Sequence, residues 1–182
     1  WAIELTGGID VQETCVYWVI RAWGEHWTSQ LVARGQEIDL WKTDAIMNLN
    51  YEKRDGTKLT PSLVLVDSGD QTDMVYNFCA DTSDYTLPSK GASKKLESDY
   101  KYSVINKAGS KACGINLVIV DTAKYKDRIA ARMRRKNGTG AWMVFNGIDD
   151  EYADQVTAEH KVNERQANGS VVQKWVPKNS HG

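Results

Sequence analysis

No two cysteines of this chain are spaced to act together. Cys15, Cys79 and Cys113 are scattered and no CxxC occurs. That argues against a disulfide framework or a zinc site and suits a reducing compartment. His26, His160 and His181 show no metal-ligand spacing either. A Walker-type glycine loop ending in Lys-Ser or Lys-Thr is missing, which excludes nucleotide hydrolysis by that route. So is a GxSxG nucleophile elbow. No apolar run approaches the roughly 20 residues of a membrane-spanning helix, and no signal peptide is visible. No membrane partner is expected. Repeats and low-complexity tracts are absent as well. The formal net charge is only −1, so bulk electrostatics points to no partner and any nucleic-acid signal must be local.

What is present is ordinary in bulk. A length of 182 residues, 41% hydrophobic and 26% charged, fits one globular domain over 1–182 with a real core. The chain opens and closes without terminal signals and reads as a domain taken from something longer. The stretch 7–12 (GGIDVQ) is less ordinary. Alternation puts Ile9 and Val11 on one face and Asp10 on the other. Gly7 and Gly8 leave the backbone bare, open to close approach.

Residues 3–12, 15–23 and 26–34 read as three consecutive strands, with a short turn at Gly24-Glu25. A helical spacing follows over 38–49, with Asp39 placed to cap it. Asp55-Gly56 is a turn, and Pro61 precedes the next element. Residues 62–66 (SLVLV) form a short continuous apolar run, the pattern of a strand buried on both faces. A helix begins near Gln71, with Met74, Val75 and Phe78 as its core face. Residues 89–111 are lysine-rich and irregular, with one weak strand expected. Residues 117–120 (LVIV) form a second buried run ending at Asp121-Thr122. A helix over 123–136 follows and stops at Asn137-Gly138. Then come a strand over 141–145, an acidic helix over 150–157, and a hairpin over 160–176 turning at Asn168-Gly169. The three cysteines read as packing residues. This order implies an α/β fold: a mixed β-sheet with an antiparallel meander edge, right-handed crossovers and flanking helices. In such sheets the working site lies at the carboxyl ends of the strands.

Three carboxylates meet that condition. Asp10 lies in the first strand, and Asp67 and Asp121 each stand where an apolar run stops. If the first strand neighbours 62–66, Asp10 and Asp67 face one another. Two carboxylates that close repel unless a cation lies between them. Oxygen-only ligands suit Mg²⁺ or Mn²⁺ and phosphoryl chemistry. Asp67 equally fits a turn residue in Asp-Ser-Gly-Asp. Asp70 fits a helix cap or a support to the metal ligands. Asp121 is a ligand or, with Thr122, the start of a helix.

The local basic signal lies on the helix over 123–136. Tyr125, Ile129 and Met133 mark its core stripe. Lys124, Arg128 and Arg132 form a second stripe, and Lys126 adds to it. Arg134, Arg135 and Lys136 suit a helix C-terminus without any ligand. Lys90, Lys94, Lys95, Lys101, Lys107 and Lys111 put further positive charge in the middle third. A solvated face and a phosphate-backbone contact both fit.

Taken in order, the chain resembles the C-terminal nuclease domain of a lambda-type phage terminase large subunit. The resemblance rests on Gly8-Ile9-Asp10-Val11-Gln12, Trp23-Gly24 and Val66-Asp67-Ser68-Gly69. Thr72, Val75, Tyr76, Phe78 and Cys79 follow, then Lys90-Gly91, Asp121-Thr122 and Lys126-Asp127-Arg128. Tyr152, Gln155, Glu159, Trp175 and Asn179 complete the series. It implies an RNase H-like fold and a divalent-metal-dependent endonuclease that cuts concatemeric viral DNA during packaging. Asp10 and Asp67 are then the catalytic metal ligands. Implied partners are double-stranded DNA, an ATPase domain in cis, the small terminase subunit and the portal or procapsid. The implied setting is the cytoplasm of the infected host. The family carries a third carboxylate after the Asn179 region, so 179–182 are expected to run back toward Asp10. A catalytically incomplete DNA-binding or docking module is the alternative reading.

Overall fold

The computed structural model describes residues 1–178. The expectation for 179–182 lies outside that range. The chain divides into two compact units, Trp1–Val144 and Phe145–Gly182.

The first unit is built on an eight-stranded sheet. Its meander is β1 (Glu4–Val11), β2 (Val16–Trp23) and β3 (Ser29–Glu37), dense in β-branched and aromatic residues. Helix α1 (Lys42–Met47) follows, then a two-residue hairpin, β4 (Tyr51–Glu52) and β5 (Lys58–Leu59). Next come β6 (Pro61–Asp67), α2 (Thr72–Asp81), β7 (Thr86–Gly91), β8 (Tyr100–Val104) and β9 (Asn116–Val120). Helix α3 (Thr122–Met133) leads to β10 (Trp142–Met143). The sheet order is β10-β3-β2-β1-β6-β7-β9-β8. Strands β1, β6, β7 and β9 are parallel, and β2, β3 and β8 add antiparallel edges. This is the mixed α/β sheet expected, and it is consistent with a nuclease domain of RNase H-like type.

The core lies between one sheet face and helices α1 and α2. Leu5, Ile9 and Val11 of β1 meet Val64 and Val66 of β6, Met47 of α1, and Val75, Phe78 and Cys79 of α2. A Cβ on Gly7 would lie 2.7 Å from Met47 Sδ and 2.8 Å from a Val64 methyl. Gly7 therefore lets α1 close on the sheet.

Several expectations need correction. Strand β6 is not sealed on both faces: Val64 and Val66 are buried, but Leu63 is 38% exposed. Both α1 and α2 pack on the valine side, so the leucine side is only half covered. Met74 is exposed, and Cys79 takes its place in the core stripe of α2. Strand β3 starts at Ser29 rather than at residue 26, because a single 3₁₀ turn, Glu25–Trp27, intervenes. Its His26 and Trp27 both have positive φ, 56° and 61°. Asp39 does not cap α1 itself; its carboxylate accepts from Trp41 N in the turn before it. The irregular stretch 89–111 holds the one strand expected, β8, but its start also belongs to a central strand, β7, which begins at Thr86 and has Pro88 inside it. The β7–β9 ladder begins at Ser89, so none of its bonds needs the N–H that Pro88 lacks. Cys79 is buried, with its thiol pushed up to about 12 by desolvation, but Cys113 is exposed and packs nothing.

The second unit holds α4 (Asp150–Val156) and a hairpin of β11 (Glu159–Arg165) and β12 (Val171–Pro177). Asp149 caps α4 by accepting from Tyr152 N at 2.9 Å.

Candidate active site

The two first-named carboxylates come together. Strands β1 and β6 pair in parallel with Ile9 opposite Val66. The next residue on each is an exposed aspartate, Asp10 and Asp67. Both point away from the buried Ile9–Val66 face, because side chains alternate along a strand. They stand at the carboxyl ends of adjacent parallel strands.

One oxygen of each is anchored. Gln12 Nε2 donates to Asp10 Oδ1 at 2.8 Å, and Gly69 N–H donates to Asp67 Oδ1 at 3.0 Å. The other oxygens have no hydrogen-bond partner among the described residues. The Asp10 carboxyl is held above its usual range. Desolvation is the main cause and the charge of Asp67 adds to it, while the Gln12 bond pulls the other way. The Asp67 loop is pinned from below: Ser68 N and Ser68 Oγ both donate to the Ser89 carbonyl, at 2.8 and 2.9 Å. Ladder partners extend the site sideways, with Tyr17 beside Asp10 and Ser89 beside Asp67. Sequence reasoning assigned no role to Gln12, Tyr17, Gly69 or Ser89. Only Gln12 carried a signal, since two residues along a strand returns to the same side.

The other two acids are placed differently. Asp70 Oδ1 accepts from Gln71 N at 2.8 Å, and Gln71, not Asp70, occupies the cap position of α2. Asp121 is buried. Its Oδ1 caps α3 by accepting from Lys124 N at 3.2 Å, and its Oδ2 accepts from Leu96 N at 3.0 Å. These bonds, that from Leu96 foremost, hold its carboxyl below the usual range. It also lies two strands from β6, about 10 Å across the sheet. No group of three His, Cys, Asp or Glu among the described residues is placed to hold an ion. The structure thus joins Asp10 with Asp67 and gives Asp121 a structural task.

The cationic stripe of α3 is also committed. Lys124 Nζ donates to the carbonyls of Leu96, Glu97 and Ser98 at 2.9, 2.7 and 3.0 Å. Arg128 pairs with Asp99 at 2.6 Å. Arg132 donates to the carbonyls of His26, Trp27 and Gly140 at 3.3, 3.0 and 3.3 Å, which holds the strained 3₁₀ turn in place. Lys126 has a partner too. The expected core stripe beside them is not buried: Ile129 and Met133 are each 37% exposed. Helix α3 is held by polar contacts instead. Lys90, next to Ser89 on β7, has no ion-pair or hydrogen-bond partner among the described residues.

A cavity of about 460 Å³ opens elsewhere, among Trp1, Ile3, His26, Thr139 and Met143. It lies beyond the opposite end of β1 from Asp10, about 20 Å along the strand, and is not part of this site.

A family described as terminase large subunit gpA, endonuclease domain, matches residues 1–182. None of the curated proteins and none of the solved structures matches. The chain belongs to the endonuclease domain family of the terminase large subunit, a family of packaging-related nucleases.

Proposed function

We propose that this terminase endonuclease domain cuts concatemeric phage DNA by metal-assisted hydrolysis at Asp10 and Asp67. The observation that carries the reading is a pair of like charges brought together and left half open. The Asp10 carboxyl is raised, and no cation among the described residues compensates it. The free oxygen of each aspartate, with the other fixed by Gln12 or Gly69, fits a hard divalent ion, Mg²⁺ or Mn²⁺. When bound, such an ion supplies positive charge to the scissile phosphate and lowers the pKa of coordinated water. The chain itself orients the two carboxylates and pins the Asp67 loop to β7 through Ser68. Asp70 is close enough in sequence to assist through solvent, whereas Asp121 serves the fold. DNA backbone contacts come from the uncommitted Lys90, Lys94, Lys95 and Lys101 rather than from Lys124, Arg128 and Arg132. The working partners are double-stranded DNA, the ATPase domain in cis, the small terminase subunit and the portal of the procapsid, in the host cytoplasm.

A second reading has one observation behind it. Only two carboxylates meet at the site among the described residues, and two-metal hydrolysis wants further oxygen ligands. On that reading the domain docks on DNA without cutting it. Calorimetric titration of Mn²⁺ into wild type and Asp67→Asn, followed by plasmid nicking, separates the two. Binding lost in the variant with nicking in the wild type supports the nuclease. Metal binding without nicking supports docking. Equal Mn²⁺ affinity in both proteins removes the metal site.

A further inference from the structure

Strand β8 ends the sheet order, and all five of its residues are exposed. Its backbone orientation follows from its flanking bonds. Asp121 N donates to Asp99 O at 2.8 Å, and Ile105 N donates to Ile115 O at 2.9 Å. Asp99 and Ile105 therefore turn their backbone groups toward the β9 side. Inward and outward residues alternate in an antiparallel ladder. Lys101 and Ser103 thus point inward, and Tyr100, Tyr102 and Val104 point out. The outward three are the residues with large apolar side chains, all on one face. Tyr102 and Val104 are each 58% exposed, and the rings of Tyr100 and Tyr102 meet edge-on at 5.6 Å. An exposed edge strand with unpaired outward N–H and C=O groups invites another strand, and β8 has no proline, while its one charged residue, Lys101, projects from the face opposite the tyrosines.

We propose that β8 pairs antiparallel with β8 of a second copy, about a twofold axis at Tyr102. In that register Tyr102 faces Tyr102, Tyr100 faces Val104, and Lys101 faces Ser103. Every outward N–H and C=O of the three residues meets a partner, and the apolar strip runs on across the join. No like charges stand directly opposite. Neighbouring registers are worse. Centring on Lys101 sets two lysines face to face, and centring on Ser103 leaves Tyr100 opposite no strand residue. This self-complementarity is what singles out a second copy of the chain. DNA would need cations on the tyrosine face, and Lys101 projects from the other one. The contact is short, so the dimer belongs to the weak, concentration-dependent class. The proposal does not depend on what Asp10 and Asp67 bind.

Sedimentation equilibrium over a concentration series tests it, with Tyr102→Lys as the disruptive variant and circular dichroism to confirm its fold. The wild type should show a monomer–dimer equilibrium, with its Kd raised roughly tenfold or more by the two opposed lysines. Independently, Tyr102→Cys with Cys15 and Cys113 changed to Ser should cross-link on oxidation. Hydrogen-bonded antiparallel partners have Cα atoms about 5.5 Å apart, within disulfide reach. Ser103→Cys on the same background should not cross-link, because its partner is Lys101. A chain that stays monomeric up to about millimolar concentration overturns the proposal. So does a dimer whose Kd is unchanged by Tyr102→Lys, or equal cross-linking at 102 and 103.

Discussion

The acidic corner of β1 and β6 and the cationic stripe of α3 both draw attention in the sequence, and the fold treats them oppositely. Asp10 and Asp67 are brought side by side, each with one oxygen tied and one open. Lys124, Arg128 and Arg132 turn their donors onto carbonyls and a carboxylate of their own chain. Like charges held together without a compensating cation among the described residues disfavour the folded state, and this is the observation behind the proposed metal site. Cations already satisfied hold loops in place and need no ligand to explain them. Net charge on a helix face is thus a poorer guide to function than charge the chain leaves unmatched.

The sharpest break of this comparison is Asp10→Asn. The change is nearly isosteric and removes the charge that would hold a cation. Mn²⁺-supported plasmid cleavage should fall by more than about 100-fold, beyond the 10–100-fold typical of groups that only support metal ligands. Wild-type cleavage by this variant would move the site away from β1.

Arg132→Ala probes the other side. It frees three carbonyls around the positive-φ pair His26–Trp27. Hydrogen bonds from a charged donor are each worth about 1.5–3 kcal/mol at most, and these are partly exposed, so a total loss of about 2 kcal/mol is expected. That lowers Tm by roughly 4–8 °C for a chain of this size. DNA affinity of the folded variant should not change. A loss of affinity with no loss of stability would return the stripe to a DNA-binding role.

Salt dependence sharpens the contrast further. Each lost phosphate contact lowers the slope of log K against log salt by about one. Lys90→Ala should show that drop, and Arg128→Ala, whose guanidinium already faces Asp99, should not. The reverse pattern would show that the Asp99 pair opens when DNA binds.

These differences also mark what was legible in the chain. The meander was, because 16–23 are dense in residues that favour a pleated surface. The Asp10–Asp67 pairing was legible too, as a condition on two strands being neighbours. Strand β7 was not: Pro88 and Lys90 break any pattern, and its extended state is imposed by β6 and β9 on either side. The choice between ligand and cap for Asp121 was beyond local reading as well. It was decided by Leu96, 25 residues away, whose N–H takes the second oxygen. The spacing of Tyr125, Ile129 and Met133 showed a stripe on α3, but periodicity does not say whether anything covers it. Nothing in Glu25–Trp27 announced two consecutive positive φ angles: His adopts one more often than most residues, but Trp does not favour it.

The smallest expected effect concerns acid stability without metal. Desolvation, with the charge of Asp67 behind it, raises the Asp10 carboxyl above its ordinary value of 3.8, and the Gln12 bond only partly offsets this. In the unfolded chain that carboxyl titrates at the ordinary value. Between the two values the folded state therefore holds more protons than the unfolded one. Stability then falls as pH rises through that window and stays lower above it. Asp10→Asn carries no titrating charge there. Without metal it should melt above wild type at neutral pH, and the two should converge below pH 3.8. Solvent still reaches the group, so screening limits the gap to about 1 kcal/mol, or roughly 2–4 °C in Tm. Adding Mn²⁺ should reverse the ranking, because a ligand that binds only the folded wild type stabilises it by mass action. Thermal melts of both proteins at about pH 3.5 and 7, with and without Mn²⁺, test each of these differences. A wild type that already melts higher than Asp10→Asn at neutral pH without metal would mean that the pair is compensated within the chain, and the acidic corner would then resemble α3 rather than oppose it.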